Sequence, residues 1–181
     1  GREIDPTTGA VAPPIHLSTT FERDADGGFS RGYFYTRPDN PNRRALEQCL
    51  AALEGGADAT AYASGSAASF AVFNLLRPGD HVIAPIEAYH GTNQQLRDLC
   101  RPLGIETTFV DLTNPDAVRA AFTERTRLVW IETPSNPMLN ITDIETIVGL
   151  SHDRGALVCC DNTFATPVWQ RPLEQGADLV M

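Results

Sequence analysis

L-V-C-C-D-N-T-F, residues Leu157 to Phe164, is an apolar run that stops at a carboxylate, Asp161, followed by Asn162 and Thr163. Its length and composition read as a buried strand of a parallel sheet. An aspartate at the end of such a strand is costly to desolvate unless it meets a cation, so Asp161 is expected to face a site and not the core.

Outward from this stretch, the chain alternates strands and helices. Strands are expected at Ala59–Ala63, His81–Ala84, Thr107–Val110, Leu128–Ile131, Ala156–Cys160 and Ala177–Met181. Helices are expected from Ala67 to Leu76, Asn93 to Pro102, Pro115 to Phe122 and Asp143 to Arg154. Alternation of this kind implies a mainly parallel sheet with helices on both faces. Ligands of open α/β sheets bind beyond the C-terminal ends of the strands. Ser64, Gly65, Tyr89, Glu132, Asn136, Asp161 and Thr163 all follow strands and collect at that edge.

Ser64-Gly65-Ser66 opens a helix, and small residues there let free backbone N–H groups approach an anion. A Ser-capped helix with small residues for packing accounts for the same pattern. Tyr89 can stack on a planar ligand or cap the core. No G-x-G-x-x-G fingerprint is present, which counts against a dinucleotide-binding domain.

Residues 1–32 are rich in Pro, Gly, Thr and Asp and show no sustained period, so an extended arm is expected. Tyr35 and Arg37 follow in a turn-rich loop, where a hydroxyl and a guanidinium fork can meet a phosphate or carboxylate. Leu46, Leu50 and Leu53 then mark one face of a helix that Gly55-Gly56 ends. On this reading residues 1–45 are an arm and subunit-contact segment, and residues 46–181 an α/β domain.

The composition, 42% hydrophobic and 20% charged, is that of a globular chain with a real core. A formal charge of −9 without any basic block argues against nucleic acid or an anionic membrane as partner and favours a small molecule. No leader pattern or run of eighteen apolar residues occurs, so a cytoplasmic location is expected. Cys49, Cys100, Cys159 and Cys160 lack ligand spacing and read as reduced thiols. The four histidines have no metal-like spacing, and no metal is expected. All fourteen basic residues are arginine. A reaction that needs a lysine amine cannot be completed by these 181 residues.

Taken together, Y-T-R-x-x-N-P, A-S-G-S-A-A, Y-H-G-T, E-T-P-S-N-P and D-N-T-F, in this order, resemble the Cys/Met-metabolism (trans-sulfuration) family of pyridoxal 5′-phosphate (PLP) enzymes. L-R-P-G-D at Leu76–Asp80 and Q-R-P-L-E-Q-G-A-D-L-V at Gln170–Val180 extend the likeness over the chain from Pro13 onward.

The resemblance implies the fold-type I large domain, with a seven-stranded type of sheet, and PLP as cofactor. It implies that Asp161 pairs with the pyridine nitrogen and that Tyr89 stacks on the ring and can assist proton transfer. Gly65 and Ser66 would hold the phosphate, Asn136 would lie near the 3-oxygen and Thr163 near the ring. Tyr35 and Arg37 would reach the cofactor phosphate of a neighbouring subunit, which implies a homodimer with shared sites, within a homotetramer.

The implied reaction is γ-elimination or γ-replacement on a homoserine-derived or sulfur amino acid, as in cystathionine γ-synthase or γ-lyase. Homoserine-ester sulfhydrylase and methionine γ-lyase are the alternatives. The family's Schiff-base lysine follows G-A-D-L-V, and a small C-terminal domain follows that. Both are expected to lie beyond Met181, which makes the chain an N-terminal part that is inactive alone. A non-catalytic piece that assembles with a partner chain is the rival of another class. Relatives that handle cystathionine commonly carry an acidic residue where this chain has Phe34, and often arginine at the position of Gln94. Methionine γ-lyases typically have cysteine at the position of Gly91.

Overall fold

The computed structural model describes residues 4–181. The chain divides into two compact units, the first ending at Ala61 and the second running from Tyr62 to Met181. The first unit therefore reaches beyond the arm expected to end at residue 45 and takes in the leucine-bearing helix.

In the first unit the arm carries one isolated antiparallel bridge, Thr20 to Tyr35. Backbone bonds from Phe21 N to Phe34 O and from Thr36 N to Thr19 O close the same loop. Helix α1 spans Pro41–Glu54. Asn40 caps it through its side chain, Pro41 fits the first turn where no N–H is needed, and Gly55 ends it in the left-handed region at φ 72°. The Asn42 amide accepts from His16 N at 2.8 Å and donates to Pro14 O at 2.7 Å, tying the arm to the helix.

The second unit is a doubly wound sheet. Its elements are α2 (Gly65–Phe73), β1 (His81–Pro85), α3 (His90–Gln94), β2 (Glu106–Val110), α4 (Pro115–Ala121) and β3 (Thr126–Glu132). Then come α5 (Ile144–His152), β4 (Leu157–Asp161), α6 (Thr166–Trp169) and β5 (Leu179–Val180). The expected helix at Asn93–Pro102 begins earlier, at α3, and continues as a π-helical stretch, Gln95–Cys100, and a 3-10 turn, Arg101–Leu103. The chain turns at Gly104, whose φ of 81° suits a residue without Cβ.

All strand pairs are parallel, and the order is β2-β1-β3-β4-β5. The described residues form a five-stranded sheet. The chain steps from β1 outward to β2 and then returns past β1 to β3, which puts a topological switch point between β1 and β3. Ala59–Ala63 is not the strand expected. Its alanines fit the period of a buried strand, but strand structure needs a hydrogen-bonded neighbour, and this stretch has no ladder partner in the sheet.

Period-two alternation sends successive side chains to opposite faces. Ile83, Val129, Ile131, Val158 and Cys160 pack with Val118 of α4 and Ile144 and Ile147 of α5. Val82, Ala84, Leu128, Trp130 and Cys159 pack with Phe73 of α2 and Leu96 and Cys100 of the α3 continuation. Adjacent Cys159 and Cys160 accordingly enter different cores, and all four thiols are free. Phe73 and Trp130, both fully buried, meet with ring centroids 5.0 Å apart and planes tilted by 52°. Such a pair is worth about 0.5–1.5 kcal/mol beyond its area burial.

Candidate active site

The same alternation places Glu132 and Asp161, the last residues of β3 and β4, on the face that packs against α2. They are partners in the β3–β4 register. Both line a cleft of about 390 Å³ at the C-terminal edge of the sheet, and both are buried, with only 5% and 7% of their surface exposed.

Burial pushes the Asp161 carboxyl above the ordinary carboxylate value. The Thr163 hydroxyl and backbone N–H pull it back, the N–H lying 3.0 Å from Oδ1. Burial likewise raises Glu132, the N–H groups of Tyr89 and Asn136 pull it down, and the charge of Asp161 adds to the rise. Two carboxylates under this strain favour a cation in the space they border.

The start of α2 lines the same cleft. Ser64 lies just outside the helix in extended conformation, and its hydroxyl accepts from Ala67 N at 3.1 Å. Gly65 and Ser66 belong to the first turn, whose N–H groups have no acceptor within the helix. A Cβ on Gly65 would find the Met181 sulfur 3.9 Å away and nothing closer, so the backbone there is open to approach. One part of the cleft therefore suits an anion and another a cation. A planar, zwitterionic ring bearing a phosphate matches both.

Tyr89 follows β1 and sits at the N-terminus of α3. Its ring lies on Gly91, where an added Cβ would stand only 2.5 Å from the ring carbon Cε1. Asn136 and Thr163 also line the cleft. Of the site residues read from the sequence, the structure brings together Gly65, Ser66, Tyr89, Asn136, Asp161 and Thr163. Tyr35 and Arg37 belong to the first unit, where the Arg37 guanidinium lies 5.1 Å from the centre of the Tyr35 ring.

The sequence reading assigned no role to several residues that shape the cleft. Ser69 is buried and accepts no role from any motif, yet it lies one turn beyond Ser66 on the same face of α2. Its hydroxyl donates to Ser66 O at 3.1 Å, and Gln95 Nε2 donates to the same carbonyl at 2.8 Å. Gln170 Nε2 donates to Thr133 O at 3.0 Å and to Asn162 Oδ1 at 2.9 Å, while Asn162 Nδ2 donates to Gln170 O at 2.9 Å. Only the helical spacing of Ser66 and Ser69 was open to view in the sequence.

Among the described residues no helix is long and apolar enough to cross a membrane.

The family model described as Cys/Met metabolism PLP-dependent enzyme matches residues 1–181. The cystathionine gamma-synthase of Mycobacterium tuberculosis is 50% identical over 182 residues, covering 100% of this chain and 47% of that protein. The cystathionine gamma-lyase of Dictyostelium discoideum is 44% identical over 181 residues, again covering 100% of this chain and 47% of the relative. The crystal structure of metB from Corynebacterium glutamicum superimposes with a TM-score of 0.95 at 43% identity, covering 98% of this chain and 46% of that one. The chain spans about half the length of these relatives.

Proposed function

Because the chain belongs to the Cys/Met metabolism family of PLP-dependent enzymes, we propose that the polypeptide carrying it catalyses elimination or replacement at the γ-carbon of a homoserine-derived or sulfur amino acid. Cystathionine γ-synthase and γ-lyase chemistry is the leading form. The observation that carries this reading is one cleft lined both by buried Asp161 and Glu132 and by the open N-terminus of α2.

When bound, PLP supplies an electron sink for the carbon bearing the substrate amine. Asp161 would hold a proton on the ring nitrogen by placing a negative charge beside it. Thr163 N–H keeps the Asp161 carboxylate oriented. Gly65 and Ser66 would take the phosphate on backbone N–H groups. Tyr89 would cover one face of the ring and exclude water from it, with its hydroxyl available to move a proton. Asn136 would lie near the ring's 3-oxygen.

Two-fold assembly is part of the proposal, with Tyr35 and Arg37 of one subunit reaching the cofactor phosphate of its neighbour and two such dimers forming a tetramer. Arg37 lies 5.1 Å from the centre of the Tyr35 ring, so the guanidinium and the phenol would be offered to that phosphate together. Phe34 and Gln94 keep homoserine-ester sulfhydrylase chemistry open as the second reading, and Gly91 counts against methionine γ-lyase.

The test uses the full-length protein reconstituted with PLP and assayed separately with a homoserine ester plus cysteine, with cystathionine and with methionine. A yellow protein bleached by borohydride and active on one of these supports the reading. A full-length protein that stays colourless with excess PLP sinks it.

A further inference from the structure

Glu132 occupies an unusual position. It ends β3, and Tyr89 follows β1, so the two flank the switch point where the chain departs in opposite directions. Loops diverge at such a point, and nothing in the sheet ladder joins them. The Glu132 side chain crosses the gap. Its two oxygens lie 2.8 and 3.0 Å from Tyr89 N, and Oε1 lies 2.7 Å from Asn136 N. Both N–H groups donate, so the carboxyl acts only as an acceptor.

The contacts are specific to backbone. Tyr89 precedes α3 as its N-cap residue without any side-chain cap, and the Glu132 carboxylate accepts from the Tyr89 N–H, the bond that an N3 glutamate makes in a capping box, from another strand. Asn136 lies in the loop after β3, four residues beyond Glu132 itself. One buried group therefore fixes the start of the segment that carries the aromatic ring and the backbone of the residue that carries the amide. The cost of burying this charge next to a second carboxylate is substantial, and packing alone would be met by a neutral side chain of the same size.

We infer that Glu132 is a positioning residue: it clamps the backbone of Tyr89 and Asn136 across the switch point and so sets where the tyrosine ring and the asparagine amide stand relative to Asp161. The inference rests on the proposed PLP function for its purpose, and on the geometry above for its existence. Glu132 acts through Tyr89 and Asn136. In a Glu132→Gln variant the side-chain NH2 replaces one acceptor and faces a backbone donor, so the clamp opens although the volume is unchanged.

The test compares full-length wild type and E132Q, each titrated with PLP, reading the dissociation constant and the induced circular dichroism per bound cofactor. E132Q is expected to bind PLP about 10-fold more weakly, consistent with the loss of hydrogen bonds to a charged group. Its induced circular dichroism should fall, because the ring is no longer held at one angle. The inhibition constant of inorganic phosphate should change less than about twofold, since the start of α2 takes no contact from Glu132. In a Tyr89→Ala, Asn136→Ala background, the E132Q factor should shrink to less than about threefold, because the groups being positioned are gone.

Unchanged PLP affinity and circular dichroism in E132Q, or the full factor persisting in the double-alanine background, overturns the inference. Amide hydrogen exchange of the wild type supplies a reading independent of any substitution. The Tyr89 and Asn136 amides should be protected, and exchange at open-loop rates overturns the clamp even if E132Q does not fold. A wild type that binds no PLP but protects both amides defeats the proposed function and leaves the clamp standing. A wild type that binds PLP with both amides open defeats the clamp alone.

Discussion

The two edges of the sheet bury titratable groups in opposite ways. At the N-terminal edge, His81 of β1 is buried with both ring nitrogens occupied: Nδ1 lies 2.8 Å from Thr126 Oγ1 and Nε2 2.8 Å from Thr108 Oγ1. Those hydroxyls come from β3 and β2, so the ring bridges three strands. Burial holds His81 below its ordinary value, with the charge of Arg125 acting in the same direction. At the C-terminal edge, Asp161 borders open space and burial pushes it the other way, while Glu132 beside it is already held by the N–H groups of Tyr89 and Asn136. Equal burial thus marks a finished contact at one edge and an unfinished one at the other. The second kind calls for a ligand.

Replacing Asp161 by Ala should cut turnover of the full-length enzyme by about 10²–10³-fold, the scale of losing a key electrostatic group in a closed site. Apo stability should not fall in proportion, and a Asp161→Ala enzyme with normal turnover would break the contrast between the edges.

His81→Ala should do the reverse. It should destabilise the fold by about 2–3 kcal/mol, from the cavity and the abandoned hydroxyls, as read by urea unfolding. PLP affinity per folded molecule should remain that of the wild type.

Gly91→Ala sharpens the picture at the open edge. The new Cβ meets the Tyr89 ring, so the ring must move, and PLP binding should weaken by about 0.5–1.5 kcal/mol, the worth of a stacking contact. Cofactor titration that shows no change would mean that the ring position is immaterial.

The smallest effect is in the pH dependence of apo stability, where the edges should oppose each other. A carboxyl raised in the folded state binds more protons there than in the unfolded chain. The stability tied to Asp161 and Glu132 is therefore complete below the ordinary carboxylate value of about 4 and is lost as pH rises through their folded values. A depressed histidine binds fewer protons when folded. Its contribution is complete above the ordinary value of 6.5 and is lost as pH falls through the folded value. Asp161→Asn should consequently raise apo stability at neutral pH, with the gain disappearing in acid. Parallel unfolding curves of variant and wild type at all pH values would remove Asp161 from this account.

The sequence was informative where structure depends on neighbours along the chain. The alternation that predicts β1, β2, β3 and β4 and the helices between them is local, and so is the cap at Ser64. Asp161 was legible because a carboxylate ending an apolar run is anomalous by itself. Ala59–Ala63 was misread because a strand is a property of a pair, and its pairing is set by residues far along the chain. Glu132 could be placed at the site's edge but not given a task, since its Tyr89 contact spans 43 residues. The π-helical stretch after α3 was hidden for another reason: its apolar spacing resembles that of an ordinary α-helix.

Gln170 bears on how a ligand would enter. By holding Thr133 and Asn162 together it laces the loop after β3 to the loop after β4, and Glu132 laces the former to the start of α3. A rim stitched at these points has surrendered its conformational freedom during folding, so little remains to be lost on association. Ligand capture by this part of the molecule should then resemble the seating of a part in a finished socket: one kinetic phase, set by encounter and desolvation, without a slower step of loop closure.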